Sequence, residues 1–351
     1  MNAHQLVSFR KPLALIAKQL PKPVGSEVLL RVVAAGVCHT DLHVQDGGFD
    51  LGAGRLLDFK DRGMQLPLTP GHETVGTPVA AGPDAKLQLS GNYLVYPWIG
   101  CGDCPVCLEG DENLCAQPRF LGVHRNGGYA DHILVPHPRY LIDIGNLDAP
   151  SIAPLACSGL TAFSAIAKLG DAIKDSPVLV LGAGGLGLMA IALLKSLDAR
   201  GAVVVDVDEG KLQAARAAGA IAAVNGRADS TVQDITRALG GPAQLVIDCV
   251  GSTESARVSL DCLGKRGRIV IVGLFGGSAE WPLPLIPIKA ACIQGSYVGN
   301  LRELRALVQL AQDGMIVLPQ VSKFDCCAVN DVLGRLRRGG ITGRAVLVSE
   351  T

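Results

Sequence analysis

The chain has 351 residues, 48% of them hydrophobic and 18% charged, which is room for two domains, each with its own core. Lys plus Arg (32) equals Asp plus Glu (32), so there is no basic field to hold a nucleic acid or an anionic membrane. With 4% aromatic residues, stacking platforms for single strands are also argued against.

The opening "MNAHQLVSFRKPLALIAKQLPKP" has no apolar run of signal-peptide length. Eleven cysteines in such a chain point to a reducing compartment, the cytoplasm, and to metal ligands rather than disulfides. Residues 26–36, "SEVLLRVVAAG", read as a strand, and short strands with Gly and Pro turns continue to about residue 145. From about 151 the texture changes. "PVLVLGAGGLG" reads as strand and turn, "LMAIALLKSLD" as helix, "GAVVVDVD" as strand and "EGKLQAARAAGA" as helix. "AQLVIDCVG" and "GRIVIVGLFG" then flank a helix near 254–263. Apolar strands alternating with helices predict crossover units and a parallel sheet. The tail, an amphipathic helix in "NLRELRALVQLAQDGMI" and a strand in "GRAVLVSE", falls outside that alternation and is expected to return to the first domain.

The stretch 177–197 is apolar over about 18 residues, long enough for a membrane span. Its glycines nevertheless fall in a phosphate-loop pattern and a second strand follows at once, so a buried strand, turn and helix is the expectation. The turn "LGAGGLG" places Gly182, Gly184 and Gly187 as G-x-G-x-x-G, with Gly185 and Leu186 opening the helix. Asp206 follows Gly187 by 19 residues at the end of "VVVD". This is the dinucleotide fingerprint: a tight turn, close approach of pyrophosphate and an acid for the ribose. With no Arg beside Asp206, a 2′-phosphate is repelled and NAD is expected over NADP.

Four cysteines, Cys101, Cys104, Cys107 and Cys115, stand within fifteen residues as C-x2-C-x2-C-x7-C. That spacing suits one tetrahedral ion, and zinc is the expected one. A closed shell of four sulfurs leaves no place for substrate, so the site reads as structural and the chemistry is expected elsewhere.

Two further pieces, "GVCHTDLH" (36–43) and "TPGHETVG" (69–76), say little alone. With the cysteine lobe, "GGYADH" and the nucleotide turn in this order, the chain closely resembles the zinc-dependent alcohol dehydrogenases of the medium-chain dehydrogenase/reductase family. The resemblance implies an α/β fold, a Rossmann dinucleotide-binding domain plus a mainly β GroES-like catalytic domain carrying a structural-zinc lobe. It implies a catalytic domain at 1–157, joined by 298–351, and a dinucleotide-binding domain at 158–297. Two zinc ions per chain are expected, one structural and one catalytic.

By the same resemblance Cys38, His72 and Cys157 would be the catalytic-zinc ligands, with Glu73 beside the metal or exchanging onto it and Asp41 orienting His72. Thr40 and His43 occupy proton-relay positions. His39, Thr161 and Arg344 match positions that touch the cofactor, Lys211 matches a Lys near its adenosine ribose, and Trp98 the substrate-pocket aromatic. The reaction implied is reversible oxidation of a primary or secondary alcohol to an aldehyde or ketone by hydride transfer to NAD, in a homo-oligomer, tetramer or dimer. Cys249, Cys262, Cys292, Cys326 and Cys327 receive no role.

Two departures from the family bear on substrate. The 33 residues between Cys38 and His72 (39–71) are more than the family commonly has. The excess, "DGGFDLGAGRLLDFKDRGMQ", reads as a Gly-rich, charged surface flap from Gly47 to Gln65 that edges the cleft and stays out of the core. The segment "YPWIGC" looks shortened. The competing readings are a polyol or sugar dehydrogenase of the same family, and a zinc- and nucleotide-binding module without turnover.

Overall fold

The computed structural model describes residues 1–349, so the end of "GRAVLVSE" and of the 298–351 segment lies outside the described residues. Six strands form a wholly parallel sheet: β1 (Val178–Leu181), β2 (Ala202–Asp206), β3 (Ala222–Asn225), β4 (Ala243–Asp248), β5 (Leu263–Ile271) and β6 (Cys292–Gly295). Their order is β3-β2-β1-β4-β5-β6, which reverses direction beside β1 and so opens a crevice at its carboxyl end. The strands form because Val, Leu and Ile run without alternation: β1 is buried at every residue, as a strand covered by helices on both faces must be. Helix Gly185–Ser196 follows β1 after one turn. The apolar stretch 177–197 is therefore strand, turn and helix, and no single helix among the described residues is long and apolar enough to cross a membrane.

The second sheet has seven strands, with Val28–Val37 at its centre. That strand pairs antiparallel with Glu73–Ala81, with His132–Val135 and with Arg344–Val348. Val321–Asp325 pairs parallel to Arg344–Val348, so two strands of this sheet come from the C-terminal tail. The tail helix Leu301–Gln312 starts at Asn300, whose side chain accepts from Glu303 N–H while Glu303 accepts from Asn300 N–H, a reciprocal cap that satisfies two orphan donors. Its Leu304, Leu307, Val308 and Ala311 are buried, the i, i+3, i+4, i+7 stripe of an amphipathic helix.

Residues 47–65 correct an expectation. They are not a flap outside the core: Gly48–Asp50 and Leu56–Asp58 pair as an antiparallel hairpin. Phe59 and Met64 behind it are 5% and 3% exposed. Phe49 meets Phe59 edge-on at 4.9 Å and tilts over His43 at 4.8 Å. The glycines serve the reversal, where Gly52 and Gly54 take φ of 77° and 72°, and three apolar residues seat the hairpin. Its outer end reaches the nucleotide side, where Gly277 N–H donates to the Asp50 carbonyl at 3.1 Å. A Cβ on Gly276 would stand 2.8 Å from that oxygen, so glycine is what permits the approach.

If the hairpin belongs to the core, Phe59→Ala should lower stability by about 3–5 kcal/mol in denaturant unfolding. Truncation at exposed Arg55 should stay within about 0.5 kcal/mol. A Phe59→Ala protein that unfolds with the wild type would show that the segment is only draped on the surface.

Candidate active site

Cys38 and Cys157 approach from two directions, yet share one local design. Cys38 directly follows the central strand and immediately precedes helix His39–Asp46; Cys157 immediately precedes helix Ser158–Leu169. Both thiols thus lie at helix N-termini, where the peptide dipoles favour thiolate. Their sulfurs are 3.9 Å apart. His72 and Glu73 lead into the next strand, and the four donor atoms all lie within 4.8 Å of one another.

Asp41 organises the group. It accepts from Cys38 N–H at 2.9 Å, Gly71 N–H at 3.3 Å and the Tyr129 hydroxyl at 2.8 Å, and its Oδ1 is 3.2 Å from His72 Nδ1. This turns His72 Nε2 toward the thiols. That nitrogen is buried with no hydrogen-bond partner, which a native site seldom tolerates unless a ligand takes it. Burial works against protonation of His72, but the Asp41 carboxylate overrides it and holds the imidazole well above its ordinary range. The hydrogen bond between the thiols holds Cys38 well below the usual thiol range and drives Cys157 well above it. Glu73 is pushed up to about 7 by burial, against the pull of Arg344, with which it forms a buried ion pair. Since Arg344 answers Glu73, the two thiols remain to balance a divalent cation. Two sulfurs, one imidazole and an adjacent carboxylate suit zinc in a site with an open position.

Thr40 Oγ1 lies 3.8 Å from Cys38 Sγ, and His43 stands one helical turn beyond, against Phe49. Burial lowers the pKa of His43 and of His39. Trp98 is fully buried, its ring 5.3 Å from His72, and its indole N–H donates to the Ala156 carbonyl at 2.8 Å. It therefore walls the cluster and fixes the peptide before Cys157.

At the nucleotide turn each glycine has a different reason. Gly182 has φ of 92°. A Cβ on Gly187 would be 1.9 Å from the Gly182 carbonyl, so helix and strand could not close. Around Gly184 a Cβ would meet nothing within 4 Å, which leaves the backbone open to a phosphate. A Cβ on Gly185 would strike Arg344 Cδ at 2.4 Å, so Arg344 lies across the helix start, beside Leu186, as well as reaching Glu73. Asp206 Oδ2 accepts from Ala183 N–H at 2.7 Å, holding the acid beside the turn. Thr161 is buried in the helix that Cys157 begins, and the Lys211 charge acts on His39.

Cys101, Cys104, Cys107 and Cys115 form a separate group, with sulfur pairs at 3.8 and 3.9 Å. A tetrahedron with zinc–sulfur bonds of about 2.3 Å has edges of about 3.8 Å, so these thiols fit that ion. A Cβ on Gly100 would stand 2.4 Å from Cys107 Sγ. Cys115 Sγ accepts from Cys101 and Gln117 N–H at 3.3 Å each; burial opposes ionisation, but these bonds bring it down to about 7. Burial pushes Cys107 up to about 12.

Sequence reasoning missed three neighbours of the site. Tyr129 bonds to Asp41, Phe49 covers His43, and Tyr297 packs 6.2 Å from Trp98. Only Tyr129 left a signal, in "GGYADH".

The comparisons with known proteins bear on the whole chain. Residues 25–146 match the alcohol dehydrogenase GroES-like domain and residues 185–313 the zinc-binding dehydrogenase domain. An NAD-dependent alcohol dehydrogenase of Sulfurisphaera tokodaii is 38% identical, covering 99% of this chain and 100% of its own. A D-arabinose 1-dehydrogenase (NADP(+)) of Saccharolobus solfataricus is 31% identical, covering 99% and 97%. The crystal structure of the Aeropyrum pernix alcohol dehydrogenase has a TM-score of 0.90 at 31% identity, covering 99% and 100%. Matched across both domains and along its full length, the chain belongs to the zinc-dependent alcohol dehydrogenases of the medium-chain dehydrogenase/reductase family.

Proposed function

We propose that this protein is an NAD-dependent alcohol dehydrogenase that interconverts primary or secondary alcohols and their aldehydes or ketones. The observation that carries the reading is the buried, partnerless His72 Nε2 facing the Cys38 and Cys157 thiols. We read residues 1–157 with 298–351 as the catalytic unit and 158–297 as the dinucleotide unit. The partners are small molecules and a further copy of the chain. The unpaired edge β6, with Phe275, Leu283 and Ile288 at 70%, 73% and 64% exposure nearby, suits self-association. Eleven free thiols suit the cytoplasm.

Cys38, His72 and Cys157 would hold one zinc, with Glu73 next to it, and the four lobe cysteines a second. Bound at the first site, zinc supplies Lewis acidity, which brings the hydroxyl proton of an alcohol within reach of neutral pH. Asp41 fixes the ring of His72, so the ligand nitrogen is preset. Thr40 takes the substrate proton and His43 passes it to water. Burial keeps His43 neutral, the form that accepts a proton. Asp206 would bond the adenosine ribose, Gly184 would admit the pyrophosphate and Lys211 would flank the ribose. His39, Thr161 and Arg344 would line the rest of the cofactor path, and Trp98 would close the inner end of the substrate cleft.

The D-arabinose 1-dehydrogenase relative supports a second reading, a sugar dehydrogenase. A panel of alcohols, polyols and D-arabinose, followed at the NADH absorbance band, separates the two. Turnover of the sugar above all simple alcohols would favour the second.

Metal analysis of the purified protein should give two zinc ions per chain. Cys104→Ser should lose one ion together with thermal stability, whereas Cys38→Ser should lose the other with activity and keep the fold. One zinc in a fully active chain would overturn the assignment. Replacing Asp206 with Ala should raise the KM for NAD by on the order of tenfold and relieve rejection of NADP. Equal kcat/KM of the wild type with both cofactors would defeat this role. The third outcome concerns pH. A lowered pKa means that His43 gives up its proton at a lower pH, so oxidation should fall only as pH drops through a value below the ordinary imidazole range. His43→Ala should slow oxidation on the order of tenfold to a hundredfold and abolish that inflection. An unchanged pH profile would remove His43 from the relay.

A further inference from the structure

Five cysteines belong to neither proposed zinc shell, and two of them meet. Cys249, Cys262 and Cys292 stand apart from any group of metal-binding side chains among the described residues. Cys326 and Cys327 do not: their sulfurs and one carboxylate oxygen of Asp325 all lie within 4.8 Å of one another. Asp325 ends the strand Val321–Asp325, and the two cysteines open a short 3₁₀ turn, Cys326–Ala328, that runs into helix Val329–Arg337. Neighbouring side chains on a strand point to opposite faces, whereas in a 3₁₀ turn they are about 120° apart. The turn therefore lets both sulfurs reach one ion.

The turn is held in place from the helix side. Val329, Val332, Leu333 and Leu336 are buried, and Cys327 N–H donates to Asp325 Oδ1 at 2.6 Å. Asp325 and Cys327 are exposed and Cys326 is half-buried, so an ion can enter from water. No cation of the chain answers these donors. Lys323 Nζ turns to Asp148, 3.5 Å away, and Arg335 Nε pairs with Asp331 at 2.9 Å while its guanidinium lies 5.7 Å over the Phe324 ring. Among the described residues Asp325 forms no ion pair. The cluster is also remote from the candidate active site. Val321 is level with Arg344 and Asp325 with Val348, a separation of about 13 Å along the sheet at about 3.3 Å per residue.

We infer that Asp325, Cys326 and Cys327 form a third metal site, which takes a thiophilic divalent cation of the zinc kind from solution. The inference stands apart from the dehydrogenase reading above. Two sulfurs select against magnesium and calcium, which take oxygen donors. As each metal–sulfur bond forms, the thiol gives its proton to water, so the divalent ion balances two thiolates and the carboxylate supplies the third donor. Adjacent cysteines favour the second bond, because the first brings the other sulfur within reach. Tetrahedral zinc sets its sulfurs about 3.8 Å apart, a spacing that the exposed Cys327 side chain can adopt by turning one torsion. Three protein donors leave a position to water. An ion held this way at the surface exchanges with the medium, so the purified chain keeps only the two enclosed zincs.

The test titrates the whole, reduced, zinc-loaded protein with cadmium ions after loosely held metal has been removed. The wild type should take up one further equivalent, with a thiolate-to-cadmium ultraviolet band, while its zinc stays bound. The double variant Cys326→Ser, Cys327→Ser should bind that equivalent on the order of a hundredfold more weakly and lose the band. Its zinc content and turnover should match the wild type, which shows that it has folded. Asp325→Asn keeps a good capping side chain but removes the charge, and should weaken binding on the order of tenfold. Cys292→Ser, which removes another exposed thiol, should bind as the wild type does. A wild type that takes up no further equivalent overturns the site, as does a double variant that takes up an equal one. Cadmium uptake matched ion for ion by zinc release also overturns it, since that is exchange at the other two shells.

Discussion

One buried carboxylate, Asp41, sets the geometry on which the candidate active site depends. Three donors and one imidazole converge on it: the amide of Cys38, the amide of Gly71, the hydroxyl of Tyr129 and Nδ1 of His72. These groups come from the end of the central strand, the turn before the next one and a distant strand-edge segment, so one side chain locks three pieces of backbone. In a dry interior such a network holds its members tightly, because an unmade bond costs more than a made one gains. The price of that arrangement is a charge with nowhere else to go. Removing Asp41 would free His72 to rotate and leave the Cys38 and Gly71 amides without this acceptor, while the Tyr129 hydroxyl would keep only the Gly36 carbonyl, 3.3 Å away.

The second constraint is the link between the thiols and the cofactor turn. Helix Ser158–Leu169, which Cys157 begins, packs beside helix Gly185–Ser196, which starts at the glycine turn. Arg344 spans the same gap, with its stem over Gly185 and its guanidinium on Glu73. The distance from sulfur to cofactor backbone is therefore governed by helix packing and a buried ion pair. Rigid elements of this kind hold reacting groups more accurately than loops do, and hydride transfer depends strongly on position.

What the sequence disclosed depended on distance along the chain. The glycine turn, Asp206 and the four lobe cysteines were legible because each lies within a few dozen residues of its partners, where spacing in sequence is spacing in space. Cys157 stands 119 residues from Cys38, and no periodicity joins them; the resemblance supplied that pairing, not the pattern. The hairpin was misread for the opposite reason. Its glycines and charges dominate its composition, while the three residues that seat it, Phe49, Phe59 and Met64, follow neither a period of 2 nor one of 3.6. Trp98 and Tyr297 meet only because distant segments fold together, and single aromatics in loops carry no signal of that kind.

The hydrogen bond from Gly277 to Asp50 bears on motion. It ties the far end of the hairpin to the loop after β5, while the near end is held by Phe59 in the other core. A segment fastened at both ends acts as a tether across the cleft. If the two sheets swing apart to admit or release a cofactor, this strap must stretch, let go of Asp50, or travel with the nucleotide side. In the last case the aromatic cover over His43 leaves with it. Entry of the dinucleotide and exposure of His43 to water would then be a single movement of the molecule.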